Sequence, residues 1–284
     1  MNIFVDEKNF IMKPKNDLVF KKIFGDERNK DLLISLLNSI LEEKIEDVTL
    51  ENTELIPEYI SSKKGILDIR ATTDKGVQVD IEIQVLRISH MPERSLFYWS
   101  RMYIEQIATG DDYGKLNKTI TINILDYNCI ENDRYHNSFH VREDKENIKL
   151  TDVLEIHFIE LKKENKENDK LAQWMEFIKA DSKEVLEHMA ESNPDIKRAV
   201  ELLEIISQDK ETRAIYLARE MALRDEISRV EEGKTEGRAE GRAEGIKESI
   251  SKLLSKGKSE IEISELLDVD IKLVEEVKET MKSK

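Results

Sequence analysis

The sequence predicts a mixed α/β domain that is followed by a long helical region. Between residues 16 and 42, apolar side chains return every three or four positions, which is typical of an amphipathic helix. Residues 66–73 and 77–86 instead alternate apolar and polar side chains, as neighbouring strands do. After about residue 165 the helical spacing continues almost without a break. The strand patterns are therefore confined to the first part of the chain, which is long enough for one domain.

The elements of this first domain follow in the order helix, three strands, helix, strand, with further strands after it. Asn16 or Asp17 can cap the first helix, whose apolar stripe is interrupted near Gly25. The next helix is expected over residues 93–109, directly after Pro92. The expected strands are short and rich in apolar residues, and they cover residues 47–56, 66–73, 77–86, 118–126, 138–142 and 153–161.

Changes in texture divide the chain into four parts. We expect an α/β domain over residues 1–165, a helical region over 166–230, a repeat over 231–247 and a small helical tail over 248–284. In the repeat, glycine recurs every four positions, at Gly233, Gly237, Gly241 and Gly245. Such a line of glycines on a helix permits close helix packing, so the C-terminal helices are candidates for homo-oligomer formation. An extended helical linker fits the same pattern.

Composition excludes several classes of protein. The 284 residues include 45 basic and 60 acidic side chains, and the net charge of −15 argues against a surface that is basic throughout. A local basic groove is still compatible with this charge. The single cysteine, Cys129, excludes a disulfide framework and a cysteine-based zinc site. Because we find neither a signal peptide nor an apolar run long enough to span a membrane, we expect a cytoplasmic protein that does not contact membranes.

The segment LDIRATTDKGVQVDIEIQV predicts a β-hairpin whose polar face carries opposed carboxylates. Residues 74–76 fit a three-residue loop, with the glycine in the left-handed position. If Thr73 pairs with Val77, then Asp68 lies opposite Glu82. Like charges in this position repel each other, so they need a cation, a shared proton or full solvation.

A divalent cation is one way to stabilise such a pair. Mg²⁺ and Mn²⁺ prefer carboxylate oxygens and retain several water molecules. A metal held in this way can activate water against a phosphodiester. A solvated sheet face with scattered charges is the alternative that spacing alone leaves open.

The hairpin resembles the D…(D/E)-x-K signature of the PD-(D/E)XK nucleases, and in particular the Rpn family of recombination-promoting nucleases, also described as PD-(D/E)XK nuclease family transposases. That family has E-x-Q in place of E-x-K, as residues 82–84 do here. The resemblance covers roughly residues 12–162, through the strings NDLVFKKIFGDERNKDLLISLLNSIL, GILDIRATT, VDIEIQV, RSLFYWSRMYIEQI, YGKLNKTITINILDYN, YHNSFHVRE and LTDVLEIHFIELKK. It implies a restriction-endonuclease-like mixed sheet at the core.

The resemblance also implies a catalytic set. Asp68 and Glu82 would be the metal ligands, and Gln84 takes the position of the usual lysine. Glutamine cannot supply the positive charge of lysine, although it can orient a water molecule or a phosphate oxygen by hydrogen bonding.

Four further residues are candidate contacts to nucleic acid. Arg94, Tyr98 and Arg101 recur at near-helical spacing on the helix after the hairpin, and Lys21 belongs to a small basic cluster on the first helix. Such residues can contact a phosphate backbone. A partly buried amphipathic helix with long arginine side chains is the alternative.

Two functions follow from these residues. The first is a Mg²⁺- or Mn²⁺-dependent DNA endonuclease, linked by the resemblance to recombination or mobile elements. The second is a nuclease-fold protein with little or no activity that serves as an oligomeric binding or regulatory module. The intact pair Asp68 and Glu82 favours the first function, whereas Gln84 and the net charge of −15 favour the second.

Overall fold

In a computed structural model of the chain, the structure describes residues 10–51, 69–165 and 169–282. Asp68, one of the two expected metal ligands, lies outside these residues, as does the second half of the strand expected over 47–56. The chain divides into two units, residues 1–218 and residues 219–284.

The first unit is built on a six-stranded mixed sheet, as the sequence predicts. Its spatial order is β1-β2-β3-β4-β6-β5. Strands β3, β4 and β6 run parallel to one another, whereas β1, β2 and β5 pair antiparallel with their neighbours. The strands are β1 Val48–Leu50, β2 Ile69–Thr73, β3 Gln78–Gln84, β4 Thr119–Leu125, β5 His136–His140 and β6 Leu154–Glu160.

The hairpin between β2 and β3 has the register that the sequence predicts. The backbone N–H of Thr73 donates to the carbonyl of Val77, and Arg70 lies opposite Asp80. Gly76 has φ of 78°, a conformation that glycine adopts without steric cost. The described part of the pairing ends with Ile69 opposite Ile81.

One face of the sheet carries the apolar core. Alternation along β3 and β4 places Val79, Ile81, Ile120 and Ile122 on this face, and all four are buried. Helices from both ends of the first unit cover it: α1 Asp17–Phe24, α2 Lys30–Ile40, α4 Lys170–Lys179, α5 Lys183–Ala190 and α6 Pro194–Gln208.

The helices after β6 share this core with the N-terminal helices. The ring of Trp174 on α4 meets that of Phe24 on α1 at 5.4 Å between centroids. Ser207 of α6 accepts a hydrogen bond from the backbone of Met12. The packing favours a domain boundary later than residue 165, and the boundary at 165 stays a prediction.

Local sequence sets where these helices begin and end. Asn16 caps α1 by accepting from the N–H of Leu18, and α1 ends before Gly25, where the apolar stripe is interrupted. Asn193 caps α6, and Pro194 occupies its first turn, where a missing N–H costs nothing.

Helix α3 (Met91–Ile104) packs on the other face of the sheet. It begins one residue before Pro92, because proline is accepted in the first turn, and it ends five residues before the predicted end. Its buried residues include Ser95, Tyr98 and Met102. Trp99 donates from its ring N–H to the carbonyl of Thr119, which ties α3 to the start of β4.

The second unit consists of helices. The 46-residue helix α7 (Lys210–Ser255) crosses the unit boundary and includes the whole repeat, so the repeat is helical. Helices α8 (Glu260–Leu267) and α9 (Ile271–Lys282) follow, with a capping box formed by Ser259 and Glu262 at the start of α8. Ile250, Ile263 and Val274 form the small core of this unit. Among the described residues, no helix is both long and apolar enough to cross a membrane.

Candidate functional site

A buried polar layer lies between the sheet and α3. Along β3 and β4 the parallel register sets Asp80 beside Thr121 and Glu82 beside Asn123. All four side chains are buried, with Glu82 1% exposed. Burial of ionisable groups is costly unless they are paired, hydrogen-bonded or bound to a cation. This layer is therefore the candidate site.

Two donors converge on one oxygen of Glu82. The Arg94 guanidinium lies 3.5 Å from Glu82 Oε2, and the Gln84 amide nitrogen donates to the same oxygen at 3.3 Å. Gln84 comes from the same strand two residues later, so it shares a face with Glu82. Arg94 comes from the first turn of α3. The structure thus brings together three of the residues that the sequence predicts.

The Arg94 side chain rests on an aromatic ring. Its guanidinium carbon lies 4.6 Å from the centroid of the Tyr98 ring, one helical turn further along α3. Tyr98 is itself 8% exposed, so it supports Arg94 and offers little surface to a ligand. Burial raises the pKa of the Tyr98 hydroxyl, and the nearby Glu82 and Asp80 add to the rise, while Arg94 opposes it.

Two residues of the layer were missed in the sequence. Asn123 donates from its side chain to Ser95 Oγ at 2.9 Å and to the carbonyl of His157 at 3.0 Å. Within the described part of the chain, Asn123 Oδ1 and Thr121 Oγ1 are buried without a hydrogen-bond partner. The signal was available, because polar residues alternate with isoleucine in TITINIL as they do in QVDIEIQ.

Arg101 lies in a second group of charges, beyond Arg94. Glu105 pairs with Arg70 at 2.9 Å and with Arg101 at 3.8 Å. Arg101 is 8% exposed and Arg70 9%. These ion pairs fix the end of α3 to β2, which fits the packing interpretation of Arg101 better than a contact to a phosphate backbone.

The remaining candidates lie elsewhere or are not described. Lys21 is exposed on α1, which packs on the opposite face of the sheet from α3. The position of Asp68 relative to Glu82 falls outside the described residues.

The donor atoms of the polar layer suit a hard divalent cation. Mg²⁺ and Mn²⁺ prefer carboxylate and carbonyl oxygens, and Glu82 and Asp80 supply carboxylates on one face of β3. The buried Asn123 Oδ1, beside Glu82 in the register, is a further oxygen of the same kind. Among the described residues alone, no group of three histidine, cysteine or carboxylate side chains is arranged to hold a metal ion. A complete site would therefore need a further ligand, and Asp68 is the candidate.

Comparison with known proteins identifies the family. Residues 14–233 match the family model described as PD-(D/E)XK nuclease family transposase. None of the curated proteins and none of the solved structures matched the chain. The matched residues make up most of the chain and include the whole polar layer and the E-x-Q triplet at residues 82–84. The chain belongs to the PD-(D/E)XK nuclease family transposases.

Proposed function

We propose that this protein is a divalent-metal-dependent DNA endonuclease. The observation that carries the proposal is the buried carboxylate of Glu82. Arg94 approaches it from helix α3, and Gln84 approaches it from strand β3. A buried acid with a cation beside it is typical of sites where charge develops during a reaction. Family membership supports DNA as the substrate and a role in recombination or in mobile elements.

Each residue has a distinct role in this proposal. Glu82 and Asp68 would hold Mg²⁺ or Mn²⁺, which would supply a Lewis acid for the phosphate and lower the pKa of water. The amide of Gln84 orients the attacking water or a phosphate oxygen by hydrogen bonding. The guanidinium of Arg94 provides the positive charge that lysine provides in E-x-K nucleases and that glutamine cannot provide.

The test is the nicking of supercoiled plasmid by the full-length protein. We expect nicking with Mg²⁺ or Mn²⁺ and none after chelation with EDTA. The absence of nicking with either metal, at low salt and high protein concentration, would instead favour the inactive binding or regulatory module.

Arg94 offers a sharper test, because its positive charge can be removed and then supplied again from the neighbouring position of Gln84. We expect Arg94→Gln to lower the nicking rate by about 10²-fold, the scale of losing one charged stabilising contact. Adding Gln84→Lys to that variant should recover a large part of the rate, since an ammonium group then replaces the guanidinium. If Arg94→Gln has full activity, or if Gln84→Lys fails to improve it, the role given to Arg94 is wrong.

The C-terminal helices support a second part of the proposal, association with another copy of the chain. Four glycines of α7 leave room for a partner: apart from its chain neighbours and the nearby helix backbone, a Cβ atom built on any of them meets no atom of the described residues within 4 Å. These are Gly233, Gly237, Gly241 and Gly245. Leu223, Ile227 and Val230 continue the seam of Gly237 and Gly241 at spacings of three and four residues, with Lys234 at the position between Val230 and Gly237. This heptad spacing is the pattern that brings two helices together. Glycines in an isolated helix cost about 1 kcal/mol each relative to alanine, so a packed partner would offset this cost.

Light scattering measures this association directly. We expect the number of chains per particle, which is the particle mass divided by the mass of one chain, to fall when residues 231–284 are deleted. It should also fall in the variant Gly241→Leu. The control is Ala239→Leu, since two positions along a helix place this residue on nearly the opposite side. A number of chains per particle that is unchanged by the deletion would contradict self-association through this region.

A further inference from the structure

A polar cavity lies on the face of the sheet opposite to the one that carries Glu82. Its volume is about 450 Å³, within the range of small-ligand sites. Glu155 and His157 of β6 lie beside Ile120 and Ile122 of β4, which belong to the core face. All of its lining residues belong to the first unit. The cavity is therefore separate from the polar layer under α3.

One part of the cavity lining, the apolar wall, consists of apolar side chains against which a planar ring can pack. It is formed by the end of α2, the segment that follows it and the neighbouring strands, through Ile40, Leu41, Ile45, Val77 and Ile120. These side chains come from the core, and their shape is fixed by packing.

Another part of the lining carries two basic side chains, which we name the cation cluster: Arg142 and Lys149. Arg142 and Lys149 lie directly opposite each other in an antiparallel bridge, and both line the cavity. Like charges in this position repel each other, and Asp152, which also lines the cavity, pairs with Lys149 at 2.7 Å. Within the described residues, Arg142 has no carboxylate at ion-pair distance, and its guanidinium donates to the carbonyl of Asn147.

His140 adds a further polar atom to this part of the lining. It lies two residues before Arg142, and its ring atom Nδ1 is buried without a hydrogen-bond partner among the described residues. His140 is also opposite Glu155 in the register of β5 and β6. A buried ring nitrogen without a partner is costly, and a ligand would offset that cost.

Glu155, the most buried acidic group of the cavity, is paired with two cavity residues. Lys118 contacts Glu155 at 2.6 Å, and His157 contacts the other oxygen of Glu155 at 2.7 Å. Burial raises the pKa of Glu155, but these two hydrogen bonds outweigh it and lower the pKa to about 2. Its charge is thus present and balanced at neutral pH, and it does not counteract the cation cluster.

A histidine chain continues from this carboxylate into the cavity. His136 Nε2 and His157 Nδ1 share one hydrogen bond at 2.8 Å. Burial, and after it the charge on His157, lower the pKa of His136 to about 4, so its ring is neutral at pH 7. A neutral ring can exchange a hydrogen bond with a hydroxyl group.

We infer that this cavity binds a small ligand that combines a planar ring with a phosphate group, as a nucleoside monophosphate does. The phosphate contacts the cation cluster, the ring lies against the apolar wall, and a ribose-like hydroxyl reaches His136. Arginine and lysine side by side are suited to the charge and geometry of a phosphate.

The test is calorimetry with the full chain in EDTA at low salt, with adenosine monophosphate, inorganic phosphate and adenosine as probes. We expect the monophosphate to bind more tightly than either part alone. Arg142→Gln and Lys149→Gln should each weaken its binding about tenfold, the effect of losing one charge-assisted hydrogen bond. Ser138→Phe, which fills the cavity from β5 without changing its charge, should also weaken binding.

The control variants remove a positive charge from an arginine and from a lysine outside the cavity. Arg134→Gln and Lys145→Gln change exposed side chains that do not line the cavity, so they should bind as the native chain does. Glu82→Gln should also leave binding unchanged, because Glu82 lies on the other face of the sheet. Circular dichroism melts identify any variant that fails to fold. No binding at millimolar probe, equal loss in the controls, or loss on Glu82→Gln would each overturn the inference.

Discussion

Replacement of Glu82 by glutamine is expected to lower the rate of DNA cleavage by at least about a thousandfold, which corresponds to about 4 kcal/mol in the activation free energy. The substitution keeps the shape of the side chain but removes the charge that would hold Mg²⁺ and that faces Arg94 at 3.5 Å. The control is Glu93→Gln, which neutralises an exposed acid in the first turn of α3, next to Arg94 in the sequence. Plasmid nicking measures both rates, and near-native activity of Glu82→Gln would remove Glu82 from the site.

The same variant reports on the electrostatics of the site. A repelling pair of Asp68 and Glu82 alone would make Glu82→Gln stabilise the metal-free protein, by about 0.5–1 kcal/mol. The ion pair with Arg94 acts in the opposite direction, because the variant leaves a half-buried guanidinium without its carboxylate. We therefore expect a change in the free energy of unfolding below about 1 kcal/mol, so the loss of activity can be read as chemistry. Mg²⁺ should raise the melting temperature of the native chain and not that of the variant.

A fragment that ends at residue 165 is expected to be insoluble or to lack a cooperative melting transition. It would lose Trp174, Phe177 and Leu203, which are fully buried in the same core as α1 and α2. Each large apolar side chain contributes about 1.5–3 kcal/mol on burial. Their sum alone is comparable with the whole stability of an ordinary domain, about 5–15 kcal/mol.

A longer fragment, for comparison with the one that ends at residue 165, ends at residue 218, where the first unit ends. It keeps α4, α5 and α6, and we expect it to melt cooperatively. Calorimetry or circular dichroism on both fragments decides the boundary. A cooperative melt of residues 1–165 would support the boundary that the sequence predicts and would show that the later helices are dispensable.

Local patterns were sufficient for most of the sheet and for the central carboxylate. Alternation and the turn residues predicted the register of β2 and β3, because strand pairing through a short loop is a local matter. Glu82 was found because it is expected to face Asp68 across the hairpin, and Gln84 through the resemblance to the E-x-Q family. Arg94 was identified only as a candidate contact to nucleic acid.

What the sequence could not predict depends on packing between distant elements. Nothing local to Arg94 indicates that its guanidinium meets Glu82, since α3 must first dock on β3 and β4. The role of Asn123 is hidden for the same reason, because its partners Ser95 and His157 come from another helix and another strand. The burial of Tyr98 likewise follows from which side of α3 faces the sheet.

The contact between Phe24 and Trp174 also has a consequence for the order in which the chain is made. Synthesis proceeds from the N-terminus, so α1, α2 and the strands emerge from the ribosome before α4, α5 and α6, which complete the cover of the apolar face. Parallel pairing of β3, β4 and β6 adds distant contacts, which form slowly. The nascent chain therefore carries an apolar sheet that is only partly covered until α6 has emerged. We expect a requirement for chaperones during synthesis that the finished protein does not share.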